Sequence, residues 1–296
     1  MLKLRKYGHW YFLGALALAV FVIWSAIFRI EAHRGLYMYV FDVGQGDAIF
    51  IEAPDGNQIL IDGGPDSSIL ASLGKVLPFW DRVIDLVILT HPHADHLDGL
   101  LEVLKRYDVG MVLESGVNHT IPEYRQWREL IAGRKTPTVL AKRGQTIRLG
   151  SNISLAVLAP FRPVAGSSVK NIHDAAVVLR LEFASTTVLL MSDAEAALER
   201  ELISSDLNIS SDILKVGHHG SKTSTREGFL EAVEPHLAVI SSGRRNRYGH
   251  PAEEVLDRLQ SFGIRVLRTD QDGDIVLIID GAGKRVQSSL EGSRSF

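Results

Sequence analysis

The sequence predicts an α/β domain of two packed β-sheets with helices outside, preceded by a single apolar helix. Three observations predict it. Residues 10–28 contain no charged residue. After residue 35, short strands come first and strands alternating with helices follow. The two halves of this part also echo each other, each having strands, then a strand ending in a histidine-bearing loop, then a helix.

The N-terminal MLKLRKYGH carries Lys3, Arg5 and Lys6. The uncharged run WYFLGALALAVFVIWSAIF then spans about 28 Å at helical rise, close to the hydrocarbon thickness of a bilayer. Trp10, Tyr11, Trp24 and Phe28 stand near its ends, where aromatic belts form, and His9 and His33 flank it. Arg29 and Arg34 follow the run with Glu31 between them, so the basic excess favours an inside N-terminus. A cleaved signal peptide is the rival reading, but its apolar region is usually shorter and no small-x-small site follows. The expectation is a single-pass anchor in the cell membrane over 1–35 and an extracytoplasmic domain over 36–296.

Past the anchor, LYMYVFDV and AIFIEAP read as strands, and QILIDGG follows across the turn PDGN. Residues 67–77 have helical spacing, and IDLVILT is a short buried strand. The leucines of Asp98–Tyr107 recur at helical intervals. GMVLE, TPTVLA, TIRLG and ISLAVLAP supply further strands, and VVLRLEF with TTVLLMSD makes a hairpin. AEAALERELI, TREGFLEAV and PAEEVLDRLQSF are helical, interleaved with the strands DILKVGHH, LAVISSG, RVLRT and DIVLIID. The composition, 46% hydrophobic and 23% charged over 296 residues, supports a large core. A net charge of −3 excludes a global basic field, so any polyanion must meet a local patch. The absence of cysteine excludes disulfides, thiolate ligands and thiol nucleophiles.

Chemistry concentrates in THPHADHLDG, residues 90–99. The preceding strand delivers this loop to the rim of a sheet, where sites are commonly built. Pro92 keeps His91 extended, so His91 and His93 can aim at one point. Asp95 and His96 come a turn later and can serve a neighbouring point. Imidazole with carboxylate suits zinc, manganese or iron. Two such ions about 3.5–4 Å apart can clamp a phosphoryl group.

This H-x-H-x-D-H hexad resembles the signature of the metallo-β-lactamase fold. Together with DVGQGDA (42–48), LIDGG (60–64), KVGHHGSKTS (215–224) and RYGHP (247–251), it is similar to the hydrolase domain of ComEC-type DNA-uptake proteins. The polytopic channel of those proteins is missing, because one apolar span cannot conduct DNA. The resemblance implies a four-layer αββα sandwich and two divalent metal ions, zinc or manganese. It implies His91 and His93 on the first ion, Asp95 and His96 on the second, and Asp193 of LLMSDAE between them. The residue before that acid is usually glycine in the family, and here it is Ser192. Asp193 also suits a helix N-cap.

The late ligand of the family falls in VGHHG. Neighbouring strand residues point to opposite faces, so only one of His218 and His219 can readily reach the ions. Position after the glycine favours His218, and leaves His219 for substrate if the strand has already broken. The family's glycine-rich G-H-x-x-G-H motif is absent. In its place stands VKNIHDAA, where His173 is either a first-ion ligand, supported by Asp174 or Asn171, or a plain loop histidine.

GRRNRYGHP sets Arg244, Arg245 and Arg247 beside Tyr248 and His250. Arginine forks match phosphate oxygens, and His250 can protonate a leaving alkoxide. Asp95 and His250 are therefore the residues expected to carry catalysis. Ser221, Lys222 and His219 are placed to hold an anionic substrate, while Asp42, Gln45, Asp47 and Asp62 orient ligands from behind. A turn beside Gly63 and Gly64 also accounts for Asp62. His119 and His236 have no such company and read as surface or structural residues. The leading reading is a metal-dependent phosphodiesterase acting on extracellular DNA or another nucleic-acid-derived substrate. The alternatives are a non-catalytic DNA-handling module partnering a separate uptake channel, and an amide or ester hydrolase of the same fold.

Overall fold

The computed structural model describes residues 2–32, 35–150, 153–280, 283–288 and 294–295. The chain divides into two compact units, Met1–Gly35 and Leu36–Phe296. The first is a helix, α1 (Leu2–Ala32). Its window Tyr7–Trp24 has a mean hydropathy of 1.5 and is long and apolar enough to cross a membrane. His33 and Arg34, on the far flank of the expected span, lie outside the described residues.

In the second unit the strands are, in chain order, β1 (Leu36–Val40), β2 (Ile49–Glu52), β3 (Gln58–Ile61), β4 (Val83–Leu89), β5 (Asp108–Glu114) and β6 (Thr138–Leu140). β7 (Thr146–Leu149), β8 (Ile153–Ala159), β9 (Val178–Phe183), β10 (Thr186–Leu190) and β11 (Ile213–Lys215) follow. β12 (Leu237–Ile240), β13 (Arg265–Arg268), β14 (Ile275–Asp280), β15 (Gly283–Ser288) and β16 (Arg294–Ser295) complete them. The helices are α2 (Ser68–Val76), α3 (Ala94–Arg106), α4 (Pro122–Arg134), α5 (Ala196–Ile203), α6 (Glu227–Val233) and α7 (Glu253–Ser261). Among the described residues one sheet orders as β16-β15-β14-β1-β2-β3-β4-β5-β6 and the other as β13-β12-β11-β10-β9-β8-β7.

Strand alternation divides the buried residues into three layers of contact. Met38, Ile51 and Ile88 of the first sheet meet Leu155, Leu179 and Val239 of the second. Phe50, Leu60 and Val87 turn outward onto Leu73, Leu100 and Trp127, one from each of α2, α3 and α4. On the other side Leu189, Leu214 and Ala238 pack against Leu198, Leu230 and Leu259 of α5, α6 and α7. The architecture is the four-layer αββα sandwich that the resemblance implied.

Two elements were not legible in the sequence. Helix α4 lies between GMVLE and TPTVLA, where only strands were expected. Its buried residues are Tyr124, Trp127 and Ile131, and this thin stripe is masked by Glu123, Arg125, Arg128, Glu129 and Arg134. The β15–β16 hairpin extends the first sheet beyond DIVLIID.

The topology fixes where a site can form. β3, β4, β5 and β6 are mutually parallel, as are β10, β11, β12 and β13. Loops leaving the carboxyl ends of β4, β8, β10, β11 and β12 carry His91–His96, His173, Asp193, His218–His219 and His250, as expected for a crevice at strand ends. The sheets are tied there by Val177 N–H donating to the Thr90 carbonyl at 3.0 Å.

Candidate metal centre

Thr90 directly follows β4 and donates to Asp62 twice, through its N–H at 2.9 Å and its hydroxyl at 2.7 Å. The same carboxylate meets His96 Nδ1 at 2.8 Å. That contact fixes the imidazole so that Nε2 faces inward. With the Thr90 proton committed to Asp62, its oxygen accepts from Ser192 at 2.7 Å and faces His91 Nδ1 at 3.2 Å. His91 Nε2 is thereby also left bare toward the centre. The glycines of LIDGG and HLDG make this approach possible. A Cβ on Gly99 would lie 1.8 Å from the Gly63 carbonyl oxygen, so α3 could not dock with any other residue there.

Asp193 stands between β10 and α5, and its two oxygens face different partners. Oδ1 lies 3.3 Å from His96 Nε2 and 3.4 Å from His219 Nε2. Oδ2 lies 3.6 Å from His91 Nε2 and 3.8 Å from His173 Nδ1. Ser192 holds a left-handed backbone (φ 48°) before it, the conformation for which glycine is the usual choice. The Ser192 hydroxyl reaches Thr90, which ties the turn to the opposite sheet. Asp193 is 1% exposed. Burial works against its charge, but the imidazoles of His219 and His96 outweigh that and hold the carboxyl well below its usual range.

Among the described residues the ligand atoms gather into four overlapping groups, the members of each within 4.8 Å of one another, and two of these groups divide the hexad between them. His91, His93, His173 and Asp193 form one, and Asp95, His96 and His219 form the other. His173 thus joins the first group although the glycine-rich motif is missing. Asn171 caps its turn by accepting from the His173 N–H at 3.2 Å, and no contact of Asp174 supports it among the described residues.

The expectation that strand alternation lets only one histidine of VGHHG reach the ions needs correction. β11 stops at Lys215, and His218 and His219 both adopt left-handed backbone, φ 48° and 55°. Strand alternation therefore does not apply, and both rings turn toward the centre. His219 is the one in the second group, with Nε2 3.4 Å from Asp95 and Nδ1 3.1 Å from the Ser241 carbonyl. His218 Nδ1 faces Glu195 at 3.2 Å while its Nε2 lies 3.9 Å from Asp193 Oδ2, and it forms a further cluster with Glu195 and His173. Sequence reasoning missed Glu195, which is held by Thr223 at 2.8 Å and Asn171 at 2.9 Å.

Of the residues expected behind the ligands, Asp62 backs His96 and Asp47 lies 3.5 Å from His219 Nδ1. Asp47 is paired with Lys215 at 2.8 Å, and both are essentially fully buried. Lys215 went unread, although a lysine inside an apolar strand is the available signal. Gln45 accepts from the Gly243 N–H at 3.3 Å and so joins two loops. Asp42 accepts from the Gly44 N–H at 3.3 Å and its own N–H donates to Asp274, so among the described residues it serves its loop and meets no ligand.

The expected substrate contacts also divide. Ser221 is 5% exposed and its hydroxyl meets Thr223 at 3.0 Å, which commits it to the turn. Lys222, Arg245 and Arg247 are exposed, and Arg244 donates to the Asp270 carbonyl at 3.0 Å. Tyr248 stacks on His250 at 5.8 Å and carries Arg247 over its ring at 5.1 Å. His250 sits 5.5 Å from the His218 ring, and Asn246 grips its backbone. Burial, then the charges of His218 and His219, push the His250 imidazole down to about 4. His236 is exposed, as expected, but His119 has company after all: its ring lies 6.0 Å from that of His93.

The donors fit divalent metal. His91 Nε2, His96 Nε2, His219 Nε2, His173 Nδ1 and Asp193 Oδ1 are all buried and all lack a hydrogen-bond partner. Burying five such atoms together is costly unless a cation satisfies them. Electrostatics agree. Burial opposes charge on His219, yet Asp193, Asp47 and Asp95 hold it up at about 10. Burial, then His173, pushes His93 down to about 4.

The sequence pattern of the Metallo-beta-lactamase superfamily matches residues 41–244. The chain belongs to that superfamily. Within it, the chain is 35% identical over 254 residues to ComE operon protein 3 of Bacillus subtilis (strain 168), covering 79% of this chain and 32% of that one. It is 29% identical over 255 residues to Competence protein ComA of Neisseria gonorrhoeae, covering 84% and 33%. Recombination protein 2 of Haemophilus influenzae is 33% identical over 240 residues, covering 79% and 28%. The chain thus spans about a third of the length of these relatives. Among solved structures, Igni18, a metallo hydrolase from Ignicoccus hospitalis KIN4/I, superposes with a TM-score of 0.51 at 16% identity, covering 81% of this chain and 98% of that one. This superposition shows the shared fold. The metallo-beta-lactamase fold and its relationship to competence proteins are those read from the motifs.

Proposed function

We propose that the second unit is a two-ion, metal-dependent phosphodiesterase that cleaves DNA or another nucleic-acid-derived substrate. The observation that carries this reading is the Asp193 carboxylate, with one oxygen facing each ligand group. His91, His93 and His173 would hold one ion, Asp95, His96 and His219 the other, with Asp193 shared. Zinc or manganese bound there would supply Lewis-acid stabilisation of phosphoryl charge and an activated water. His250, neutral in the free protein, would donate a hydrogen bond to the bound phosphate. It would then take up a proton as substrate charge arrives, and pass it to the leaving oxygen. Tyr248 stacks on this ring and Asn246 sets its backbone, so both are positioning residues. The names of the relatives, for competence and recombination, support DNA over an amide substrate. The position of His173 in the first group favours an enzyme over a docking module that has lost a ligand.

The window Tyr7–Trp24 would anchor this unit in the cell membrane, with Lys3, Arg5 and Lys6 inside and the catalytic unit outside. A separate DNA-uptake channel is the partner such an anchored unit would serve. The test is metal analysis of the purified full-length protein, followed by cleavage of DNA and of bis(4-nitrophenyl) phosphate. Zinc- or manganese-loaded protein should cleave both, and His250→Ala should keep its metal while slowing turnover by about 10²–10⁴-fold. Loaded protein that cleaves neither diester would overturn the enzymatic reading.

A further inference from the structure

Beside the metal centre lies a cleft of about 660 Å³ that none of the predicted site residues enters. It runs from His119, one ring away from His93, along the loop 116–121 to α4, with Leu140 and Ala165–Gly166 on its far wall. Arg125 and Arg128 stand three residues apart on α4 and so share a face. Arg125 is exposed, and its guanidinium has no hydrogen-bond or ion-pair partner among the described residues. Arg128 is fixed by one nitrogen on the buried Glu114 carboxylate at 2.5 Å, while its side chain stays 54% exposed. None of the lining residues is acidic, although the chain as a whole is net negative. Two arginines thus share a cleft without acidic lining, whose His119 ring lies 6.0 Å from that of His93.

We infer that this cleft is the track for a single nucleic-acid strand on one side of the scissile phosphate. The inference rests on the phosphodiesterase reading and names its substrate. Arg125 and Arg128 would bind successive backbone phosphates, a task suited to forked guanidinium donors. Ile121 and Leu140, 37% exposed, offer apolar surface, and the His119 ring offers a face to a base. Positive charge combined with ring and apolar surface is how sequence-tolerant strand-binding grooves work. The cleft volume lies in the range that encloses a small ligand. An extended strand segment can lie in it, whereas a duplex would ride above it.

The test uses full-length protein in detergent, with Arg125→Glu and the conservative Arg125→Lys. Fluorescence anisotropy in chelator, which prevents cleavage, should show Arg125→Glu binding a labelled single-stranded 12-mer about tenfold more weakly or worse, the effect of losing one charge-assisted contact. Its binding should also depend less steeply on salt, and Arg125→Lys should recover most of the loss. With metal present, the rise in KM on the 12-mer should exceed any rise on bis(4-nitrophenyl) phosphate at least tenfold. Strand binding within twofold of wild type in Arg125→Glu would overturn the proposal. So would equal losses on the two substrates, or tighter binding of a 12-base-pair duplex that Arg125→Glu weakens as much. A wild-type protein that cleaves no diester would sink the phosphodiesterase reading, while the anisotropy would still decide the track.

Discussion

Behind His96 stands Asp62, and behind His219 stand the Ser241 carbonyl and Asp47, itself fixed by Lys215. Behind His93 and His173, among the described residues, no carboxylate or carbonyl takes the outer ring nitrogen. The rings differ in burial too. His96 and His219 are 0% and 1% exposed, whereas the His173 side chain is 13% exposed. His91 is the one buried imidazole of the first group, backed by the Thr90 and Ser192 hydroxyls. One half of the centre is thus held by a second layer of buried partners, and the other half has two rings without such partners among the described residues. A preorganised half should bind its ion tightly, and an adjustable half more weakly, because the second layer orients and sharpens the ligands. The shared Asp193 couples the two.

The largest effect should come from removing what the halves share. Asp193→Ala should lose both ions, measured as metal per protein after gel filtration, together with nearly all diester cleavage. His219→Ala should empty only the rigid half, while His218→Ala retains both ions. A reversal of those two would break the assignment drawn from the left-handed turn. His173→Ala should lose the ion of the adjustable half alone.

A smaller effect should sharpen the contrast between the halves. Asp62→Asn leaves every ligand in place but removes the charge behind His96. It should weaken the tighter ion by about 10–100-fold, read by competition with a chromophoric chelator. The weaker ion should move much less. Equal weakening of both would mean that the halves are not separately supported.

The smallest effect is in protons. Without an ion, His219 is held up at about 10, and Asp193, Asp62 and Asp95, overcoming burial, hold His96 well above its usual range. At neutral pH, binding in the rigid half must therefore release protons, and its affinity must rise with pH until the His219 proton is gone. Burial and neighbouring imidazoles push His91 well down and His93 to about 4, and burial lowers His173 from its ordinary value, so the adjustable half should release far fewer protons at neutral pH. Calorimetry in two buffers of different ionisation enthalpy separates the cases. Buffer-independent heats for the tighter ion would contradict the protonation pattern.

Local pattern by itself determined the apolar N-terminal helix, most of the strands and the hexad His91, His93, Asp95, His96. In each, the information sits within a few residues, whether as periodicity, as an uncharged run or as ligand spacing. Motif resemblance added Asp193 and the αββα layering, because a strand-to-helix junction with an acid is a local mark. Only the tertiary structure showed that His218 and His219 both turn toward the centre, since a left-handed backbone pair follows an early end of β11. It also supplied the partners that no spacing could show: Thr90 and Ser192 across the two sheets, Lys215 beneath Asp47, and Glu195 beside His218. Helix α4 and its arginines were hidden for a related reason. Their role comes from lying next to the loop of His93 in space, whereas in sequence they form an ordinary charged stretch between strands.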